Sequence, residues 1–230
     1  MFEKMGSFFF GVRYFFKSLL EQINVMFLFY IPHKWYRIDL SFAREYWSQT
    51  PYRHNLKMMK DKGLDKSFLF GETPPTVLAN IARRIDIQSE DIIFDLGCGW
   101  GKSTFFLAQY TQAARVVGID CSEHFISKAE RIRLRLKMDS LVFIQGDFLE
   151  IDYQDAGIVY FYGSCATEEQ ILSLCSIWKQ DLKPGALVIT TSYSLDEFSD
   201  AFKLIDRFEQ DYLWGMCSVF VQVKVEHTEN

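Results

Sequence analysis

Phe94 to Ser103 reads FDLGCGWGKS. An apolar run ends in an aspartate, and Gly97, Gly99 and Gly101 follow at alternate positions. Glycines this close together, between a strand-like run and a helix-like one, mark a turn in which backbone approaches a ligand or a neighbouring element. A phosphate loop needs G-x-x-x-x-G-K-[ST], and Gly101-Lys102-Ser103 lacks the leading glycine at that spacing. The dinucleotide fingerprint G-x-G-x-x-G places its last glycine one residue later than here.

The surroundings of the turn set the fold class. Apolar runs at 92–95, 115–120, 141–145 and 157–162 alternate with helical patterns at 102–110, from Ser122, and from Thr167, where Gln170 completes a capping box. The run RIRLRLK alternates like a strand, but its place between two strands argues for helix. LKPGALVITTS is a turn and a fifth strand. The tail reads as two strands joined around Trp214–Gly215. Strands alternating with helices predict an α/β, Rossmann-like, doubly wound and mostly parallel sheet of seven strands, with an antiparallel strand at one edge. In such sheets ligands bind beyond the carboxyl ends of the strands, where the winding reverses.

Asp95-Leu96-Gly97-Cys98-Gly99-Trp100-Gly101 resembles motif I of the class I S-adenosylmethionine-dependent methyltransferases. The resemblance implies that the glycines admit the methionine part of the cofactor and that Asp95 orients its amino group or the loop. It implies that Asp120, with Cys121 beside it, accepts from both ribose hydroxyls, as a carboxylate can. It further implies that Asp147 meets the adenine edge while Phe148 packs on the ring. A narrower likeness over about residues 68–192 rests on FGETP, GDFL and VYFYGSCAT. These segments resemble the non-SET lysine methyltransferases of the disruptor-of-telomeric-silencing type. That likeness implies cofactor contacts from Glu72, Thr73 and Gly163. Gly163 and Ser164 stand where that family carries paired asparagines, and Cys165 where it carries an aromatic residue. Tyr162 and Ser164 are the candidate groups for orienting the methyl acceptor, or else the lining of a strand-end turn.

Residues 1–70 form a second region, expected to be a helical, aromatic-rich extension to a methyltransferase domain at 71–230. They hold 18 of the 38 aromatic residues and 11 Lys and Arg against 6 Asp and Glu, in a chain of net charge −5. Thr73 reads as a helix cap before Pro74. A helix near the start would gather Phe9, Val12, Phe16, Leu19, Leu20, Ile23 and Phe27 on one side. Such a stripe packs on the protein's own core or a second subunit, or lies in a membrane interface; packing is the commoner outcome. Arg13, Lys17 and Glu21 break the run that a membrane-spanning helix needs. Trp35, Tyr36, Tyr46 and Trp47 are core residues or the lining of a hydrophobic acceptor site.

Five cysteines without a CxxC pair suit free thiols in a reducing, cytoplasmic compartment, with membrane association left open. The four histidines show no metal-ligand spacing, so no metal is expected. Neither is a nucleic-acid partner. The expected partner is a methyl acceptor, either a protein lysine or a small molecule or lipid with the first segment as lid. A cofactor-binding protein without catalysis is the third alternative.

Overall fold

The computed structural model describes residues 2–48, 50–63 and 71–226, with only the backbone for residues 2–10 and Lys62. Phe9 of the apolar stripe and Phe70 of the FGETP segment therefore lie outside the described side chains.

The sheet has seven strands: β1 (Ile92–Leu96), β2 (Arg115–Asp120), β3 (Leu141–Gln145), β4 (Ile158–Phe161), β5 (Leu187–Thr191), β6 (Phe202–Tyr212) and β7 (Gly215–Lys224). Their order is β3-β2-β1-β4-β5-β7-β6. β7 runs against the other six and pairs with β5 on one side and β6 on the other. The antiparallel pair thus occupies one edge, with β6 outermost. Winding reverses between β1 and β4, which are hydrogen-bonded neighbours.

Period-2 alternation sends adjacent residues of β1 to opposite faces, with Ile93 in one buried cluster and Phe94 in the other. Helix α7 (Glu168–Asp181) covers the Phe94 face through Ile171, Leu174 and Trp178. Its capping box forms as expected, with Thr167 and Gln170 each bonding the other's backbone N–H. Helices α4 (Pro75–Arg84), α5 (Lys102–Tyr110) and α6 (Glu123–Leu136) share the Ile93 face.

The segment before residue 71 is built into that same core. Helix α1 (Phe2–Val25) runs into a π-helical turn, Met26–Tyr30, followed by α2 (Tyr36–Glu45) and α3 (Pro51–Lys62). Phe29 and Trp35 meet Phe106 of α5 edge to face, at ring separations of 5.1 and 5.2 Å. Phe42 meets Phe105 at 5.4 Å. Each such pair adds about 1 kcal/mol to the burial itself.

Two expectations are corrected here. Helix α4 starts one residue late: Pro74 is its N-cap and Pro75 its first residue, so Thr73 caps nothing. Its hydroxyl lies 2.7 Å from that of Tyr160 instead. Proline has no side-chain acceptor, and the missing cap comes from α1. Glu21 accepts from the Thr76 N–H at 3.1 Å and from the Thr76 hydroxyl at 2.7 Å. This explains the second correction. Glu21 is buried and Lys17 bonds Asp211, so the polar side of α1 faces the protein. Of the outcomes open to the apolar stripe, packing on the protein's own core is ruled out, because it is exposed at Val12, Phe16, Leu19, Leu20, Ile23 and Phe27.

Candidate cofactor and acceptor site

A cavity of about 770 Å³ opens beyond the carboxyl ends of β1, β2, β3 and β4. Those ends supply Gly97, Asp120, Asp147 and Tyr162 to its wall. The glycine turn is held from both sides. Cys98 N–H donates to the Ile119 carbonyl at 2.9 Å, and Gly99 N–H donates to Asp120 Oδ2 at 2.8 Å. Asp120 Oδ1 accepts from Ser122 N–H at 2.8 Å. Each oxygen of Asp120 keeps further acceptor capacity, since a carboxylate offers about four lone-pair sites. Burial raises its pKa, against the pull of those two backbone donors.

Asp95 does a different job. It is buried, and its Oδ2 accepts from Ser103 Oγ at 2.7 Å and Thr104 Oγ1 at 2.6 Å. These bonds tie the start of the turn to the first residues of α5. Burial pushes its pKa to about 6, with both hydroxyls holding it down.

The glycines also differ. Gly97 has φ +66°, and a Cβ there would meet nothing within 4 Å, so the bare position faces the cavity. Gly101, read from sequence as a cofactor contact, does not line the cavity. It is the N-cap of α5 at φ +89°, and a Cβ would lie 2.8 Å from the Phe143 ring and 3.2 Å from Ala129. Close approach of α5 to β3 and α6 requires it. Gly163, at φ +48°, lines the cavity, but a Cβ there would fall 2.5 Å from the Tyr193 hydroxyl.

Glu72, Thr73, Cys98, Gly99 and Cys121 also line the cavity, as do Phe148 and Ser164. Asp147 caps a 3-10 turn, Phe148–Glu150, by accepting from Leu149 N–H at 2.9 Å, and Phe148 packs on Phe161 at 5.4 Å. Tyr52 of α3 donates to Glu72 Oε2 at 3.3 Å. Burial raises the Glu72 pKa, opposed first by the nearby charge of Lys102 and then by the Tyr52 hydroxyl. Lys102 in turn pairs with Asp39 of α2 at 3.0 Å. At the far side, Tyr162, Ser164 and Trp214 line the cavity together, and burial raises the Tyr162 pKa, opposed first by Ser164.

Sequence reasoning did not find Tyr14, Gln22, Asp39, Tyr52, Asn55 and Met58, which line the same cavity from the first three helices. They belong to no local pattern. Trp35 and Tyr46 are core residues, Trp35 also lining the cavity, whereas Tyr36 and Trp47 are exposed. Among the described residues no cluster of three or more His, Cys, Asp or Glu side chains could hold a metal ion.

The wall suits S-adenosylmethionine on its own chemistry. A bare glycine turn admits a close ligand, Asp120 has acceptor capacity for a pair of hydroxyls, and an aromatic side chain stands beside Asp147 for a base. Comparison with known proteins agrees. Residues 95–201 match the ANTKMT methyltransferase domain family. A sterol 24-C-methyltransferase of Eremothecium gossypii is 33% identical over 38% of this chain and 23% of its own length. A histone-lysine N-methyltransferase, H3 lysine-79 specific, of Dictyostelium discoideum is 24% identical over 65% of this chain and 9% of its own. A protein-lysine N-methyltransferase of Saccharolobus islandicus is 23% identical over 54% of this chain and 75% of its own. The chain thus spans less than a quarter of the first two relatives. Among solved structures, an RNA methyltransferase of Salinibacter ruber in complex with S-adenosyl-L-homocysteine superposes with TM-score 0.55 at 25% identity, covering 70% of this chain and 98% of that one.

Proposed function

We propose that this chain, a class I S-adenosylmethionine-dependent methyltransferase domain resembling the non-SET lysine methyltransferases, methylates the side-chain amine of a protein lysine. The observation that carries the reading is one continuous cavity. It joins the glycine turn and Asp120 to a pocket end built from Tyr162, Ser164, Trp214 and Tyr52. Phenols and an indole accept an alkyl amine through their faces and their hydrogen-bonding edges.

When bound, S-adenosylmethionine supplies a methyl on a cationic sulfur, whose bond pair returns to sulfur as the acceptor's lone pair takes the carbon. The chain's own groups position the reactants. Gly97 and Gly99 offer backbone, Asp120 accepts hydroxyls, and Asp147 with Phe148 receives the base. Glu72 is placed for a cationic amino group. Ser164 and Tyr162 orient the incoming amine. The amine must arrive unprotonated, because its ammonium form has no lone pair to give. The test is methyl transfer from labelled cofactor into extract, separated into protein, lipid and small-molecule fractions. Label is expected in protein, on lysine after hydrolysis. Label confined to lipid or small molecules overturns the acceptor, and no label in any fraction overturns the activity.

The exposed apolar face favours a setting for this reaction, peripheral contact with a membrane. Phe27 is 71% exposed, Ile31 86% and Trp47 91%. Arg13, Lys34, Arg37 and Arg44 of the same segment are exposed as well. No helix among the described residues is long and apolar enough to cross a bilayer. An amphipathic helix with aromatic and basic residues binds in the headgroup region instead. Deleting residues 1–31 would also remove Glu21, Val25 and Phe29 from the fold, so point changes make the cleaner test. The unsubstituted chain is expected to float with anionic vesicles. The Phe15→Ser, Phe16→Ser, Leu20→Ser, Phe27→Ser variant is expected to bind at least about tenfold more weakly with its melting temperature kept. Equal flotation of both rejects this surface.

A further inference from the structure

Helix α3 walls the cavity without belonging to the sheet domain's helical layers. Tyr52, Asn55 and Met58, at every third position, line the cavity, while Gly97 and Asp120 line it from the strand ends and Phe125 from the first turn of α6. A ligand between them has α3 over it. The helix starts at an ordinary cap, Thr50, and stops at Gly63 in a left-handed conformation, φ +63°. Between those ends, His54 meets Phe125 of α6 edge to face at 5.5 Å, and the other contacts of α3 with the sheet side include these two. One is the Tyr52–Glu72 bond. The other is a face-to-face stack of His54 on His124, the second residue of α6, with ring centroids 3.6 Å apart and planes 13° apart.

That stack has an unusual environment. His124 Nε2 is buried with no hydrogen-bond partner among the described residues. The charged groups that act on the two rings through space are cationic. Lys57 faces the pair from α3, and Lys128 and Arg131 face it from α6. Glu123 and Asp61 line the same adjoining cavity of about 580 Å³ as both histidines. Glu45, at the end of α2, is engaged by Arg131 and Arg135. A protonated imidazole here would face a second ring at stacking distance and three cations.

The geometry points to α3 as a closing element over the cofactor cavity, held shut by the uncharged His54–His124 stack and released when the pair takes up protons. This rests on the S-adenosylmethionine reading of that cavity. Cofactor and its demethylated product would then exchange by movement of α3. Burial, the neighbouring ring and the nearby cations push His124 from 6.5 to about 4, and burial with Lys128 and Lys57 lowers His54 from 6.5. Both values are depressed in the closed arrangement relative to an open one, so proton uptake favours opening. The closing contribution is intact above pH 6.5 and is lost as the pH falls from there toward 4.

Two measurements test this on the full chain, using wild type and the His54→Phe, His124→Phe double variant, which keeps an aromatic stack and removes its titration. The first is the affinity for S-adenosylhomocysteine at pH 7.5 and 5.5. Burial also raises the pKa values of Asp95, Asp120 and Glu72, and the double variant retains these groups as its own control. Wild type is expected to lose about tenfold more affinity than the double variant over this interval for each histidine that charges. Parallel pH profiles overturn the proposal. The second uses no ligand: hydrogen exchange of Pro51–Lys62, corrected for the intrinsic pH effect. Protection is expected to fall at pH 5.5 in wild type and to hold in the double variant. Equal protection at both pH values in wild type overturns the latch. If neither protein binds S-adenosylhomocysteine at pH 7.5, the cofactor reading fails, and the exchange result still decides whether α3 opens.

Discussion

Asp120→Ala is expected to weaken S-adenosylmethionine binding by at least about 100-fold, which corresponds to losing two hydrogen bonds to a charged acceptor. The side chain has two tasks that a single residue combines. Its oxygens hold the Gly99 and Ser122 N–H groups at 2.8 Å each, fixing the turn against the start of α6. Its remaining acceptor sites face the cavity. Alanine removes both tasks. Asp120→Asn keeps one oxygen and the shape but adds donors where acceptors are needed, so about a tenfold loss is expected. Calorimetry with the cofactor measures both variants, and thermal denaturation shows whether either has lost its fold. An Asp120→Ala protein that folds and binds within twofold of wild type would remove Asp120 from the site.

Gly101→Ala is expected to damage the fold rather than the ligand site. The residue sits at φ +89°, where an L side chain is strained, and its new Cβ would lie 2.8 Å from the Phe143 ring. Strain and overpacking together cost about 3 kcal/mol. For a chain of this size that is a fall of about 6–12 °C in Tm. Cofactor affinity of the folded fraction is expected to stay within about threefold. Gly97→Ala should do the reverse. Its Cβ meets no protein atom within 4 Å and projects from a cavity-lining turn. Its main loss is expected in binding, with a smaller loss of stability from φ +66°. If Gly101→Ala loses affinity and keeps its Tm, the assignment of roles within the turn is reversed.

These two glycines show where a motif stops being informative. FDLGCGWGKS identifies a turn, and its spacing separates it from a phosphate loop, because loop geometry is a local property of the chain. Whether a given glycine spares a ligand or a phenylalanine depends on what lies across from it. Phe143 and Ala129 come from β3 and α6, some distance away in sequence. The same limit applies to Thr73. Its place before two prolines reads as a cap, but the acceptor that serves α4 is Glu21, 55 residues from Thr76.

By itself the sequence determined the sheet, its alternation with helices and the carboxylates at the ends of β1 and β2, because hydrophobic period and strand-end position are written within a few residues. It also marked residues 1–70 as helical, aromatic and basic. Only the tertiary structure decided which way α1 turns. An amphipathic stripe predicts burial of its apolar side, yet Glu21 and Lys17 are held inward by Thr76 and Asp211, and the phenylalanines face out. Only the tertiary structure brought α3 over the glycine turn and His54 onto His124, contacts across 70 residues that leave no period or spacing in the chain. Local pattern specifies elements; long-range contact chooses which faces meet and which remain open.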